Sequence, residues 1–410
     1  MKIRIYSPFF PFPITEGAFR VIFDQVISLQ ALHHEVELIT WKNSREDLER
    51  RSRLWAQTWP LPQVRHFPET KVRSPFWRVA HSLFSHLTPK NVASPEIFYY
   101  PLEVLSRLTE ATWGPCDWAI YHYSFAHAWL RERHKLPLET RRAVHFHNLE
   151  SVLFRLRSKN TPRRTSWIHL RNAQILARHE KELGSLCSET WFVSPFDLKT
   201  FSEASQRKSH PKARTRLVPP TYSSLFSRET PPTTKVCSST TTTLGLIGGF
   251  DFQPNRDSAA WIFQELVPAL EKRNFKGRLQ ILGRNAPNAF VTQKLPPWVE
   301  ILPEDYLLEN FLNQLSWMLV PHVSGSGVRI KLLDALAHRI PVMATPDALN
   351  GLHPDLKKHP LIFTSLSAQD WAERILKEPP SETRRRLQNL PFPLAMQGEE
   401  IYRFVAQQEI

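Results

Sequence analysis

The stretch Trp317–Thr345, WMLVPHVSGSGVRIKLLDALAHRIPVMAT, places an apolar strand, a glycine loop, two cations and a helix in immediate succession. Trp317–Pro321 is an apolar run of strand length, and Ile330–His338 carries apolar residues at helical spacing. Between them, Gly325 and Gly327 let the backbone turn sharply and approach a ligand. Free amides at a helix start attract phosphate, and Arg329 and Lys331 add full charges beside them. Spacing alone reads equally as an anion-binding device and as an ordinary strand-to-helix turn with solvated cations.

Outward from that segment, short apolar runs alternate with helical stretches on both sides. The second half holds Leu244–Ile247, Leu279–Leu282, Val299–Leu302, Trp317–Val320, Pro341–Ala344 and Leu361–Phe363. The first half holds Ile3–Tyr6, Val36–Trp41, Trp118–Tyr121, Ala143–Phe146 and Trp191–Val193. This is the βαβ rhythm of parallel sheets. Val218–Thr243, with Pro219, Pro220, Pro231, Pro232 and a Ser/Thr run from Ser238, reads as an interdomain linker. The expected organisation is an N-terminal Rossmann-like domain over 1–222, a linker over 223–243, a second Rossmann-like domain over 244–380 and a closing helical segment over 381–410. The fold class is therefore α/β, with two doubly wound sheets facing across a cleft lined by strand carboxyl ends, where such sheets bind ligands. Within residues 42–110 only a helix from about Leu83 is expected.

A chain of 410 residues is long enough for two domains with separate cores. Its apolar content of 41%, with 13 Trp and 25 Phe, marks a folded globular protein, and no apolar run approaches the roughly 20 residues a membrane span needs. The opening MKIRIYSPFF mixes charge into a strand pattern rather than a signal peptide, and a cytoplasmic location is expected. Cys116, Cys187 and Cys237 have no paired spacing, which suits a reducing compartment and gives no zinc knuckle. The net charge of +14 is concentrated in the first half: residues 1–222 carry 33 Lys and Arg against 20 Asp and Glu, the remainder 20 against 19. The segment Arg141–Arg216 is the densest part, including Arg155, Arg157, Lys159, Arg163, Arg164, Arg171 and Arg178. Such a face suits an anionic glycan or the inner face of a membrane, or is simply a solvated surface. No zinc finger, helix-turn-helix or ribonucleoprotein signature accompanies the charge, so nucleic acid is the least favoured partner.

The pattern Gly-x-Gly-x-Arg-x-Lys, then Leu-Leu-acid-Ala-Leu-Ala, then Pro-Val-x-Ala-Thr, resembles the donor-binding region of glycosyltransferase family 4, retaining enzymes of the two-domain GT-B fold. Leu244–Asn255 resembles the opening strand of the family's donor domain, Ala143–Ser151 its His-Asn segment and Trp191–Asp197 the strand that follows. Pro11–Val21 sits where the family has its first glycine loop.

The resemblance implies transfer of a sugar from a UDP- or GDP-sugar, with retention and without a metal or other cofactor, to a glycan or lipid-linked acceptor. A hexosyltransferase type is expected. Arg329 and Lys331 would hold the diphosphate as it leaves, a planar fork and a point charge stabilising growing negative charge. Ser324, Gly325, Ser326, Gly327 and Val328 would form the loop against it, and Asp334 would accept hydrogen bonds from the ribose hydroxyls. Asp334 also reads as a solvated helix acid near Lys331 and His338. Gly17 and Gly249 would bring backbone amides to the donor. His145 and His147 alternate around Phe146, so in a strand both imidazoles share one face, with Asn148 at its end. His147 is the position that would lie near the donor sugar and β-phosphate; two histidines alone make a weak metal site.

Three departures accompany these matches: Glu16 where paired glycines are common, Ser326 where many members have Glu, and Pro303 where a Gly often precedes the Asp305 loop. With only 12 glycines in the chain, they keep open a GT-B-shaped protein that binds a glycan or a partner without turnover.

Overall fold

Short, largely apolar runs, interrupted by buried polar residues such as Arg4, Glu37, His145 and Gln280, form strands buried on both faces, which is what a parallel sheet covered by helices requires. The computed structural model describes residues 1–14, 17–57, 59–67, 99–100, 104, 114–131, 140–159, 161–205, 213–221, 241–250, 252–286, 290, 295–303, 306–322, 327–378, 402 and 405. Outside them lie Glu16, Asp251, Asp305, Ser324, Gly325, Ser326, the expected helix from Leu83, most of the linker and nearly all of the closing segment. Two units are resolved. Met1–Pro13, Val21–Thr221 and Gly398–Ile410 form the first; Ile14–Arg20 and Tyr222–Gln397 form the second.

In the first unit, seven parallel strands lie in the order β3-β2-β1-β4-β5-β6-β7. They are β1 (Lys2–Tyr6), β2 (Glu35–Thr40), β3 (Gln63–His66), β4 (Trp118–His122), β5 (Arg141–Phe146), β6 (Glu189–Phe192) and β7 (Arg214–Leu217). Register is fixed by apolar neighbours, Ile5 lying between Leu38 and Ile120. The main helices are α1 (Gly17–Ala31), whose first turn to Arg20 belongs to the second unit, α2 (Arg45–Ala56), α3 (Glu150–Lys159), α4 (Arg163–Leu186) and α5 (Pro195–Ser205), with α3 and α4 packed together. The core is aromatic: Tyr6 stacks on Tyr121 at 4.5 Å, and Trp129 packs on Trp41 at 4.8 Å. Beneath it Arg4 and Glu37 form a fully buried pair at 2.6 Å, with Arg65 on the second carboxylate oxygen. The edge strands β3 and β7, QVRH and RTRL, were not expected from sequence. A half-exposed edge needs no apolar run, so none marks them.

In the second unit, six parallel strands lie in the order β10-β9-β8-β11-β12-β13. They are β8 (Thr243–Ile247), β9 (Arg278–Leu282), β10 (Val299–Ile301), β11 (Trp317–Val320), β12 (Val342–Ala344) and β13 (Ile362–Thr364). Its helices are α6 (Gln253–Trp261), which continues through a π turn to Glu271, then α7 (Leu308–Gln314), α8 (Ile330–Ala337) and α9 (Ala368–Lys377). One apolar cluster, around Phe311, Met318, Leu332 and Leu336, covers one face of the sheet, and another, around Ile262, Leu266, Leu319 and Trp371, covers the other. The chain winds outward from β8 in one direction and from β11 in the other. The order therefore reverses between these two neighbours, and their carboxyl ends are where a sheet of this kind leaves a crevice.

Candidate functional site

The crevice of the second sheet is built around absent side chains. β8 runs into Gly248 and Gly249, and a Cβ on Gly248 would stand 2.7 Å from the Asn255 amide carbon. Asn255, near the start of α6, donates to the Gly249 carbonyl at 2.9 Å. From the next strand, Gly283 adopts φ +142°, and a Cβ there would fall 2.0 Å from the Gly248 carbonyl oxygen. Only glycine fits that position.

Across the reversal, β11 leads to Pro321 and His322. His322 is buried, and its Nδ1 lies 3.1 Å from Ser258 Oγ, while Ser258 donates to the Pro254 carbonyl at 2.8 Å. Thr345, just past β12, donates to the His322 carbonyl. Gly327 takes φ +83°, and its carbonyl lies so close to Gly351 that a Cβ there would be 2.1 Å away. Val328 and Arg329 follow, both half-buried, and α8 begins. Arg329 occupies the N-cap position and makes no capping hydrogen bond, since a guanidinium cannot accept one from the first-turn amides. The helix start carries its positive dipole end together with two cations.

Lys331 donates to Asn255 Oδ1 at 2.9 Å, which ties α8 to the β8 loop across the switch point. The ammonium is withdrawn from solvent; burial, and then the neighbouring Arg329 charge, pull it down to about 7. Burial first, then Lys331 and Arg329, hold the His322 imidazole well below its ordinary value, so it is neutral at pH 7. Two cations near an uncharged histidine make a positive spot that anion binding would relieve.

Asp334 lies one turn further along α8, 5% exposed, with one carboxylate oxygen 3.4 Å from Arg20 Nε, a residue of the same unit. Its backbone carbonyl faces His338 Nδ1 at 2.8 Å. Gly17 opens α1, and a Cβ there would meet the Ile330 side chain at 2.6 Å, so its place depends on close packing at the start of α8. Pro303 is exposed, and its carbonyl accepts from Tyr306 at 3.0 Å in a turn.

The first unit has its own polar cluster. Strand β5 ends at Phe146, so His147 stands one residue beyond it. His147 Nε2 is 2.8 Å from His122 Nδ1, and His122, the last residue of β4, places its Nε2 2.8 Å from Gln25 Oε1. Gln25 Nε2 reaches His145 Nδ1 at 3.5 Å and the Tyr402 hydroxyl at 3.3 Å, and His145 Nε2 is 3.0 Å from the Val218 carbonyl. Tyr123 stacks on the His147 ring at 4.4 Å. Burial pulls His145 down to about 4 and holds His147 and His122 well below the usual imidazole value, with the neighbouring histidines adding to it.

Of the residues singled out by sequence, the structure gathers Gly249, Gly327, Val328, Arg329 and Lys331 on the loops and helix start beside the β8–β11 reversal, while His147 belongs to the first unit. Sequence reading gave no role to Asn255, Ser258, His322 and Gly283 in the second unit, or to Gln25 and His122 in the first. His122 and His322 had a readable signal, since each stands at the carboxyl end of a strand beside a switch point.

Residues 241–377 match the family model described as Glycosyl transferases group 1. The matched segment contains the whole second sheet and Gly249, Asn255, His322, Arg329 and Lys331. No curated protein matches the chain. Among solved structures, HepE of Anabaena, in complex with UDP and glucose, is similar with a TM-score of 0.62 at 10% identity, covering 99% of this chain and 98% of that one. WaaG, a glycosyltransferase involved in lipopolysaccharide biosynthesis, gives 0.60 at 12% over 99% and 100%. A glycosyltransferase from Rickettsia africae gives 0.55 at 12% over 100% and 99%. At such identities the likeness is one of fold, two parallel α/β sheets of the kind found in GT-B glycosyltransferases.

Proposed function

We propose that this chain is a retaining glycosyltransferase of family 4 that moves a hexose from a UDP- or GDP-sugar to a glycan or lipid-linked acceptor in the cytoplasm. One observation carries the reading: Lys331 and Arg329 stand at the start of α8 beside the second sheet's switch point, with Lys331 anchored on the Asn255 amide that closes over Gly248. A diphosphate leaving group needs positive charge where its own charge grows. These two cations supply it, so the reaction is read as metal-independent. UDP in HepE and the lipopolysaccharide role of WaaG support a nucleotide-sugar donor and an envelope glycan acceptor. Val328 and Gly327, with Ser324, Gly325 and Ser326 before them, are assigned to the donor loop, Gly249 and Gly17 to backbone contacts with the donor, and His147 to the reacting sugar.

The test is thermal stabilisation by UDP and by GDP. One of them raises the melting temperature of the wild type, and the Arg329→Ala, Lys331→Ala double variant loses the response; a chain indifferent to every nucleoside diphosphate is not a glycosyltransferase.

The Asp334–Arg20 pair favours a second reading. A carboxylate already held by a guanidinium is less available to a ribose, and with Glu16, Ser326 and Pro303 this suits a binding protein without turnover. Such a protein releases no nucleoside diphosphate from any sugar nucleotide, and one productive donor and acceptor pair removes it.

The acceptor side is read from charge. Arg155, Arg157, Lys159 and Arg164 on α3 and α4 are exposed, together with Trp167 and Leu170. Cations interleaved with apolar side chains suit peripheral contact with an anionic membrane carrying a lipid-linked acceptor. No helix among the described residues is long and apolar enough to cross a membrane.

A further inference from the structure

The polar chain of the first unit admits one consistent arrangement of protons. The Val218 carbonyl can only accept, so His145 Nε2, 3.0 Å away, carries a proton. His145 is fully buried and neutral at pH 7, which leaves Nδ1 a bare acceptor. It receives from the Gln25 Nε2 amide at 3.5 Å, the same amide that donates to the Tyr402 hydroxyl. The Gln25 side chain is thereby oriented, and its oxygen faces His122 Nε2 at 2.8 Å. A carbonyl oxygen again demands an N–H, so His122 is protonated on Nε2 and accepts on Nδ1. The donor to that nitrogen is His147 Nε2 at 2.8 Å. His147, neutral in its turn, has spent its one proton. Its Nδ1 is a bare lone pair, buried and without a hydrogen-bond partner among the described residues.

We propose that Gln25 and His122 are positioning residues that lock His147 in the Nε2–H tautomer, so that His147 Nδ1 receives a hydrogen bond from a ligand hydroxyl and not one oxygen of a phosphate. A bare imidazole nitrogen repels an anionic oxygen and is satisfied by an O–H, which donor sugars and glycan acceptors both present. The identity of that hydroxyl rests on the glycosyltransferase reading; the tautomer does not.

Long-range proton–nitrogen correlation spectra of the full chain, labelled in histidine and free of ligand at neutral pH, decide the matter. Loss of its signals in His147→Asn assigns the residue. The expected result for wild type is a protonated Nε2 and a bare Nδ1 on His147. Gln25→Leu frees His122 to carry its proton on Nδ1, so an Nδ1–H form of His147 appears. Gln25→Glu keeps an oxygen facing His122 and restores the wild-type pattern, a rescue that mere space-filling at position 25 does not give. A protonated His147 Nδ1 in wild type overturns the proposal whatever the variants do. So does a Gln25→Leu protein with native near-ultraviolet dichroism and an unchanged His147. Nucleoside diphosphate binding is measured separately by thermal shift, so loss of the glycosyltransferase reading leaves a different trace.

Discussion

Lys331 and Asn255 are joined by a 2.9 Å hydrogen bond between the start of α8 and the loop after β8. The bond closes the two sides of the switch point with one amide, because Asn255 also reaches the Gly249 carbonyl. A hydrogen bond to a charged group contributes about 1.5–3 kcal/mol. Asn255→Leu is therefore expected to weaken UDP binding roughly tenfold or more. Isothermal titration measures this directly, and undiminished affinity in a folded variant separates the pair from the ligand site.

The withdrawn ammonium sets a pH dependence. Lys331 sits at about 7 in the folded chain against 10.5 for an ordinary lysine. Between those values the unfolded chain binds the extra proton, so this group makes stability rise with pH across the window. Glu150, pushed up to about 8 by burial, acts oppositely below that value. The readout is thus the difference between wild type and Lys331→Met: the variant's stability gains less than the wild type's as pH goes from about 7 to 10. Diphosphate needs the charged form, so UDP binding near pH 8 is accompanied by proton uptake, seen as a buffer-dependent heat.

Backbone approach makes a third, purely steric prediction. Gly283→Ala forces a side chain onto the Gly248 carbonyl at a φ of +142° and is expected to cost about 3 kcal/mol or more in chemical denaturation. Gly184→Ala, inside α4 with nothing nearer than Phe201 at 3.8 Å, is expected to gain up to about 1 kcal/mol. If both changes cost the same, the close approach of Gly283 to Gly248 is not what holds that loop.

Glu37 holds Arg4 and Arg65 beneath the aromatic core of the first unit. Glu37→Leu strands a buried guanidinium, for which about 3–5 kcal/mol is the usual loss. Urea titration of the variant measures it, and a loss below about 1 kcal/mol shows that Arg4 finds another partner.

Exposed Trp167 and Leu170 beside Arg164 predict sedimentation with vesicles rich in anionic lipid and not with neutral ones. Binding falls with added salt and in Trp167→Ser, Leu170→Ser. Equal recovery with both vesicle types sinks the membrane reading.

The interior strands were legible because burial on both faces writes a largely apolar run, continuous at Trp317–Val320 and broken only by His145 at Ala143–Phe146. The edges of the first sheet were not, unlike β10 and β13 at the edges of the second: RTRL at β7 gains its strand state from pairing with β6, a partner no local pattern reveals. The site divides along the same line. Arg329 and Lys331 could be placed at a helix start because their neighbours carry the helical period. Asn255, His122 and Gln25 matter through contacts with residues far away in the chain, and single polar side chains inside ordinary elements leave no periodic trace.

The near-contact of Gly351 with the Gly327 carbonyl has a practical consequence for engineering. If the proposed donor role of the turn after β11 holds, a library that randomises it to change donor choice also needs position 351 held as glycine, or varied with it. Any larger residue there pushes on the turn from behind, and most members would be lost to misfit before selectivity was ever sampled.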